Sequence, residues 1–319
     1  MTTKKDTPFS NVVGQDAAKK RLNFFLQSYR NDGIVPHVML VAPKGAGKTL
    51  MAKSFARNLL FNGKPKPLLE INCASIKNLA SFINDVIAPH CVDENITLFM
   101  DECSELPKDV TMSLLTMLNP NKDNMNIFNY KDFSWAVDFR KITFLFATTE
   151  AQDIFHALMD RCERIDLQEY THEELGEIVK MAAENIKFSN DNLVKEIAST
   201  LRGSGREAFK MARKLSDYCK NRKKKTFNKK DWLILRQILD ILPLGISRIE
   251  LQLMRILFRE RYCRLTNLAA KMGLTRACVQ KDGEIFLQRN DLIEIDPRGR
   301  VLTKEGKELL VNINKNYDV

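Results

Sequence analysis

The chain is expected to be an α/β protein: a parallel sheet with helices on its faces, a small helical domain, and a winged helix at the end. Three observations carry this expectation. A glycine loop at 42–49 joins an apolar run to a stretch with apolar residues at helical spacing. Short apolar runs then alternate with helical patterns as far as Tyr170 and stop there, the signature of a parallel sheet covered by helices. From residue 246 three helical stretches precede a two-strand turn.

The loop reads Ala42-Pro43-Lys44-Gly45-Ala46-Gly47-Lys48-Thr49. Before it, Val38-Met39-Leu40-Val41 is of strand type; after it, Leu50 to Leu60 is helical. Strand, glycine loop, helix is the context a phosphate-binding loop requires. Gly45 and Gly47 let backbone N–H groups turn toward a phosphate, and the helix starting near Lys48 adds its positive dipole end. In such a loop Lys48 reaches the β- and γ-phosphates of ATP and the Thr49 hydroxyl binds Mg²⁺. Pro43, Lys44, Ala46 and Leu50 complete the candidate nucleotide-binding stretch, in which Ala42 replaces the usual first glycine. An ordinary strand-to-helix turn would not need lysine and threonine at this spacing.

Leu98-Phe99-Met100-Asp101-Glu102 is the partner motif, a buried strand ending in two carboxylates. Beside a phosphate loop, Asp101 faces the Mg²⁺ and Glu102 is the candidate general base for the attacking water. Alone, such a pair is more often a solvated turn.

At 319 residues the chain should hold two or three domains. No run approaches the ~18 apolar residues of a membrane span, and the polar start, Met1 to Asp6, leads into no signal segment. Seven cysteines without a C-x-x-C pair and four histidines make no zinc pattern. The cysteines read as small buried apolar residues of a reducing cytoplasm. The formal charge of +10 is uneven: residues 202–230 hold 12 Lys/Arg against Glu207 and Asp217. The run Arg222-Lys223-Lys224-Lys225 is either a solvated interhelical loop or a contact for a nucleic-acid backbone.

Residues 15–31 read as an amphipathic helix, followed by strands at 38–42, 68–72, 96–101, 142–147 and 164–168. Helical patterns lie between them near 48–61, 75–88, 107–118 and 151–159. Helices near 171–187, 190–201, 204–222 and 228–240 form the helical domain, and Pro243-Leu244-Gly245 reads as a linker. In the last segment helices at 247–260, 264–272 and 275–289 precede strands from Leu292 to Leu302, with Asp296-Pro297-Arg298-Gly299-Arg300 as the turn. Met272-Gly273-Leu274-Thr275 fits a helix-turn-helix corner with Thr275 as N-cap. Such units usually touch DNA, though many bind only proteins, and Arg298 and Arg300 on the wing tilt this one toward a phosphate contact. Between residues 119 and 141, alternation around Lys131-Asp132 predicts a β-hairpin near 125–139. Its Ile127, Phe128, Tyr130 and Trp135 either pack on the sheet edge or bind a partner.

In this order the motifs resemble the AAA+ ATPases, and more narrowly RuvB-like motors of Holliday junction branch migration, across nearly the whole chain. Val12-Val13-Gly14-Gln15-Asp16 is similar to the box lining the adenine pocket, so the resemblance places Val13 at the nucleotide. Ala147-Thr148-Thr149 matches sensor 1, and Met159-Asp160-Arg161 resembles L-R-D-R, with Arg161 as arginine finger. Tyr170 matches a tyrosine that approaches the base, and Gly203-Ser204-Gly205-Arg206 resembles G-T-P-R, with Arg206 as sensor 2. The wing matches the family's, whose last arginine contacts DNA. Glu150 and Ile295 stand where the family has arginines. The resemblance implies an AAA+ large domain over 1–170, a helical lid over 171–242 and a winged helix over 243–319.

It further implies ATP and Mg²⁺ as cofactors and a homo-oligomeric ring, a hexamer, on branched or duplex DNA. Lys48, Thr49 and Asp101 would hold phosphates and metal, Glu102 would orient water, and Thr148 or Thr149 would sense the γ-phosphate. Arg206 would tie the lid to the nucleotide, and Arg161 would come from the neighbouring subunit. A RuvA-like or other junction-binding protein would dock on the hairpin, with no membrane involved. Two alternatives stay open: a clamp-loader-like ATPase, whose helical collar and zinc module are not matched here, and an ATP-switched winged-helix DNA-binding regulator, disfavoured by intact Asp101, Glu102 and Arg161.

Overall fold

The computed structural model describes residues 8–316, and the chain divides into two compact units. The first runs to residue 178 and includes 203–207; the second holds 179–202 and the chain from 208 onward. Residues 1–7 and 317–319, the outer edges of the expected domains, lie outside the described residues.

Five strands build the sheet of the first unit: β1 (Val38–Val41), β2 (Leu68–Asn72), β3 (Ile96–Asp101), β4 (Ile142–Thr148) and β5 (Glu163–Asp166). They lie in the order β2-β3-β4-β1-β5, every pair parallel. Each begins and ends within two residues of its expected bounds. All of β4 is buried, because a parallel sheet is covered on both faces and its central strands are apolar throughout. Side chains alternate between two cores: Met39, Leu98, Met100, Phe144 and Phe146 enter one, while Leu40, Phe99, Leu145 and Ala147 enter the other. The register sets Val41 against Thr148 and Asn72 against Asp101. The glycine loop after β1 and the acidic pair after β3 thus lie at the carboxyl ends of strands on either side of β4, on the edge where open α/β sheets bind ligands.

Helix Asp16–Asp32 buries Ala18, Leu22, Leu26 and Tyr29 on one stripe. The helix expected over 151–159 is shorter. A 3₁₀ turn at Ala151–Asp153 and a single turn at His156–Met159 replace it.

The hairpin forms, with arms Met125–Tyr130 and Phe133–Asp138 and Lys131 at φ 51° in the turn. Phe128 pairs with Trp135 and both join the core, each 4 % exposed. Ile127, opposite Ala136, is 65 % exposed. The expected partner strip of Ile127, Phe128, Tyr130 and Trp135 is therefore corrected. Strand alternation sends Ile127 outward and Phe128 inward, Tyr130 is half-buried against the core, and the aromatics are packing residues.

In the second unit helix Lys229–Ile238 carries the fully buried Trp232, whose Nε1–H donates to Glu196 of helix Asp191–Ala198 at 3.1 Å, and Tyr218 of helix Gly205–Asn221 donates to Asp231 at 3.3 Å. The winged helix follows. Helix Arg248–Glu260, helix Leu265–Met272 and a continuous helical stretch at 276–289 precede a three-stranded sheet in which Gly299–Leu302 lies between Tyr262–Cys263 and Ile293–Asp296. Gly273 caps the second helix at φ 67°, and the Thr275 hydroxyl accepts from the Cys278 N–H as the expected N-cap. Strand Tyr262–Cys263 and a last helix, Lys304–Asn316, were not foreseen. Two residues are too few for a periodic signal. The last helix completes the core with Leu310 and Ile313.

The expected linker at 243–245 is a packed turn. Leu242 and Ile246 are buried in the winged-helix core. Arg202 donates to the buried Glu250 at 2.6 Å and stacks 3.5 Å above the Phe286 ring. These contacts lie inside one compact unit, which is why the break in pattern is not a hinge. Among the described residues no helix is long and apolar enough to cross a membrane.

Candidate nucleotide site and winged-helix face

The glycine loop leaves β1 and enters helix Lys48–Ala56. Gly45 and Gly47 hold φ 85° and 94°, which favours glycine. A Cβ at Gly45 would meet the Ser204 Oγ at 2.2 Å, and one at Gly47 the Tyr170 phenol oxygen at 2.6 Å. The loop is thus closely approached by Tyr170 and by the 203–207 segment, whose Gly205 N–H donates to Gly45 O at 3.0 Å.

Lys48 is buried and donates from Nζ to Ala42 O at 3.1 Å. Burial lowers its pKa; the carboxylates of Glu102 and Asp101 act the other way, and the Arg206 and Lys44 charges push it down further. The Thr49 hydroxyl donates to Asp101 Oδ2 at 3.3 Å, and the Glu102 N–H donates to Asp101 Oδ1 at 3.0 Å. Burial also raises the Asp101 carboxyl above its ordinary range, partly offset by that N–H. Glu102 sits at φ 53°, a left-handed conformation that a non-glycine residue adopts at some cost and that recurs at functional sites.

The two sensor candidates separate. Thr148 is fully buried: its hydroxyl donates to Ser104 Oγ at 3.2 Å and accepts the Glu150 N–H at 2.9 Å. That hydroxyl is committed, which corrects its place among residues facing the nucleotide. Thr149 is half-buried and donates to Glu102 Oε2 at 3.2 Å. Lys48, Thr49, Asp101, Glu102 and Thr149 are therefore linked, and Arg206 lies near enough for its charge to act on Lys48. Burial raises the Tyr170 phenol, with the Glu174 carboxylate adding to the shift. Pro43 and Lys44 are exposed at the loop tip, Ala46 is buried, and Leu50 packs on the core.

Gln15 was missed as a site residue. Its amide donates to Gln168 O at 2.8 Å and Ala46 O at 3.4 Å, tying the segment that carries half-buried Val13 to the loop. Ser104 and Ser204 were missed as well. Serine carries no periodic signal, and only the fold brings these residues to the loop and its sensor.

The cradle fits a nucleotide with its cation: two glycines that a Cβ would fill, a desolvated lysine, and a hydroxyl 3.3 Å from a carboxylate. Arg161 is not part of this group. It donates to Leu115 O at 3.1 Å, Ala157 O at 2.8 Å and Asn119 Oδ1 at 3.2 Å.

Comparison with known proteins agrees with this geometry. The family "ATPase family associated with various cellular activities (AAA)" matches residues 38–170, and "RuvB C-terminal winged helix domain" matches residues 243–311. This chain is a RuvB-like AAA+ ATPase. A Holliday junction branch migration complex subunit RuvB of Campylobacter hominis is 25 % identical over 317 residues, covering 97 % of this chain and 90 % of that protein. One from Nitratiruptor is 26 % identical, covering 97 % and 92 %. The Thermotoga maritima RuvB branch migration motor shares the fold at TM-score 0.71 and 23 % identity, with 96 % of each chain covered. A point mutant of it gives 0.74 at 22 % identity, covering 98 % and 97 %.

In this RuvB-like ATPase the wing differs from expectation. Arg300 is held by Glu284: Nε to Oε1 is 2.8 Å and Nη2 to Oε2 is 3.2 Å, with side chains 13 % and 3 % exposed. This side-on bidentate pair occupies Nε and Nη2 and gives Arg300 a structural role that was not expected of it. Arg298 is exposed. It pairs with Asp296 at 2.6 Å and lies 5.5 Å above the Tyr262 ring.

Proposed function

We propose that this chain is an ATP-driven DNA motor that moves Holliday junctions during recombination and repair, working as a ring of identical subunits. One observation carries the reading: a phosphate loop facing an acidic strand end and a RuvB-type winged helix occur in one chain. Relatives covering 97 % of the chain bear the name of a branch migration subunit, which supports it.

The residue roles belong to this proposal. Lys48, Thr49 and Asp101 would hold the phosphates and Mg²⁺, and the bound metal would supply positive charge at the γ-phosphoryl group. Glu102 orients the attacking water, and Thr149 positions Glu102. Arg206 lies on the 203–207 segment that touches the glycine loop, so the chain that continues into the lid can follow the state of the nucleotide. Arg161 serves the site of the neighbouring subunit, so hydrolysis depends on assembly. A hexamer, a RuvA-like junction-binding partner at the outer hairpin face, a cytoplasmic location and the three-domain division at 170 and 242 complete the reading.

The test is dissociation of a four-way junction with ATP and Mg²⁺. The parent chain should convert junctions to duplexes, Lys48→Ala should lose nucleotide binding, and Glu102→Gln should bind ATP and stall. Equal turnover in Glu102→Gln and parent would sink the assignment. ATP-dependent loading of a clamp with no junction movement would favour a clamp loader. For Arg161, mixing Arg161→Ala with Glu102→Gln should restore part of the activity, since one mixed interface then holds both intact groups.

A further inference from the structure

Outside residues 202–230 the chain's basic and acidic residues cancel, so that segment supplies the whole net charge of +10. Apart from Arg206 at the nucleotide loop, and Lys210 and Lys230, its cations fall into two sets. Arg202, Lys224 and Lys229 are bound to the carboxylates of Glu250, Asp231 and Glu196, and Arg222 lies 4.7 Å above the Tyr218 ring. These are structural. Arg213, Lys214, Lys220, Lys223 and Lys225 are exposed, and their side chains have no acid or ring partner among the described residues.

Their placement is regular. Helix Gly205–Asn221 buries Ala208, Met211, Ala212, Leu215, Tyr218 and Cys219 on one face. At about 100° per residue, Arg213 and Lys220 fall on the opposite face with Lys214 on its flank, and Lys223 and Lys225 continue the row in the loop beyond. Asp217 is the one acid on that stretch of the face. Arg213 and Lys220 stand about 10 Å apart along the helix. The helix dipole accounts for Lys220 in the last turn but not for the rest. Phe209, one turn before Arg213, is exposed, and Leu233 and Ile234 are exposed beyond the row, but from residue 210 to 232 the row itself carries no exposed large apolar side chain. A protein partner would need an apolar centre, whereas a phosphate backbone needs only cations.

We infer that this row on the lid is a second DNA-backbone contact, independent of the wing and blind to sequence. It rests on the reading of the chain as a DNA motor and adds to it where DNA touches. A contact of this kind carries no base information.

The test compares the full chain with the R213Q/K220Q/K223Q/K225Q variant on plain duplex DNA, by anisotropy at several salt concentrations. Each phosphate contact contributes about 0.9 to the slope of log affinity against log salt. The variant should bind at least about tenfold more weakly at low salt, with a slope shallower by about two or more. Its melting temperature and DNA-free ATPase should match the parent. Lys224→Gln, which cuts the bond to Asp231, should lower the melting temperature and leave the slope alone. Unchanged slope and affinity in the fourfold variant would overturn the inference while leaving the motor reading intact. So would loss of binding to polyglutamate with DNA binding unaffected, which would assign the row to an acidic protein. A parent chain that binds neither duplex nor branched DNA would overturn both.

Discussion

The Thr149 hydroxyl donates to Glu102 Oε2 at 3.2 Å, and Glu102 is itself held at φ 53°. The neighbouring Thr148 hydroxyl turns the other way, to Ser104 and the Glu150 N–H. Thr148 is the last residue of β4 and Thr149 the first beyond it, so two threonines that look alike in sequence have different surroundings and different duties. Thr149→Val should lower kcat by about 10–100-fold with little change in ATP affinity, the range of one positioned hydrogen bond. Thr148→Val should instead cost about 1–3 kcal/mol of stability for the groups left unpaired. Stopped-flow nucleotide binding, steady-state turnover and denaturant unfolding separate the two; a normal kcat in Thr149→Val would end this assignment.

Arg300→Ala should destabilise the winged helix by about 3–5 kcal/mol, because it strands a buried Glu284 carboxylate. Replacing both partners, Arg300→Met with Glu284→Leu, should recover most of that loss. The decisive measurement is DNA affinity of the double variant. Binding close to the parent's confirms that Arg300 acts through the fold, while a folded double variant that has lost DNA would return Arg300 to the interface.

Phe128→Ser and Trp135→Ser should each cost about 3–5 kcal/mol by urea unfolding, since both rings are buried in the core. Ile127→Ser, on the outer face, should leave stability within about 0.5 kcal/mol. If a junction-binding protein docks on the hairpin, Ile127→Ser should weaken its stimulation of the ATPase. Full stimulation with Ile127→Ser would remove the hairpin from the interface.

His37 is buried with Nδ1 unpaired, edge-on to Phe139 and Phe144, and burial pushes its pKa down from 6.5 to about 4. The folded state therefore keeps the ring neutral after the unfolded chain has begun to take up a proton. Stability should fall as pH drops from about 6.5 to about 4, by up to about 3 kcal/mol, and be unaffected by this group above that window. His37→Phe should flatten the acid limb relative to the parent. Parallel curves for the two proteins across that window would show that His37 does not set it.

The sheet and the phosphate loop were legible in the chain because their signals are local. An apolar run, two glycines, a lysine and a threonine lie within twelve residues of Val38, and backbone sterics and phosphate chemistry act at that range. The same holds for the acidic strand end and for the helix-turn-helix corner with its Thr275 cap.

Tertiary structure alone decided the fate of side chains that look available. Arg300 and Arg298 sit two residues apart on one wing, yet only Arg300 meets Glu284, from a helix sixteen residues earlier. Phe128 and Ile127 are neighbours on one arm, and the face of the hairpin chose which is core. Lys224 found Asp231, while the side chains of Lys223 and Lys225 have no acid or ring partner among the described residues. A charge or an aromatic ring in sequence carries no record of its distant partner. Burial and desolvation, which settle whether it binds within the fold or outside it, depend on contacts between segments far apart in the chain.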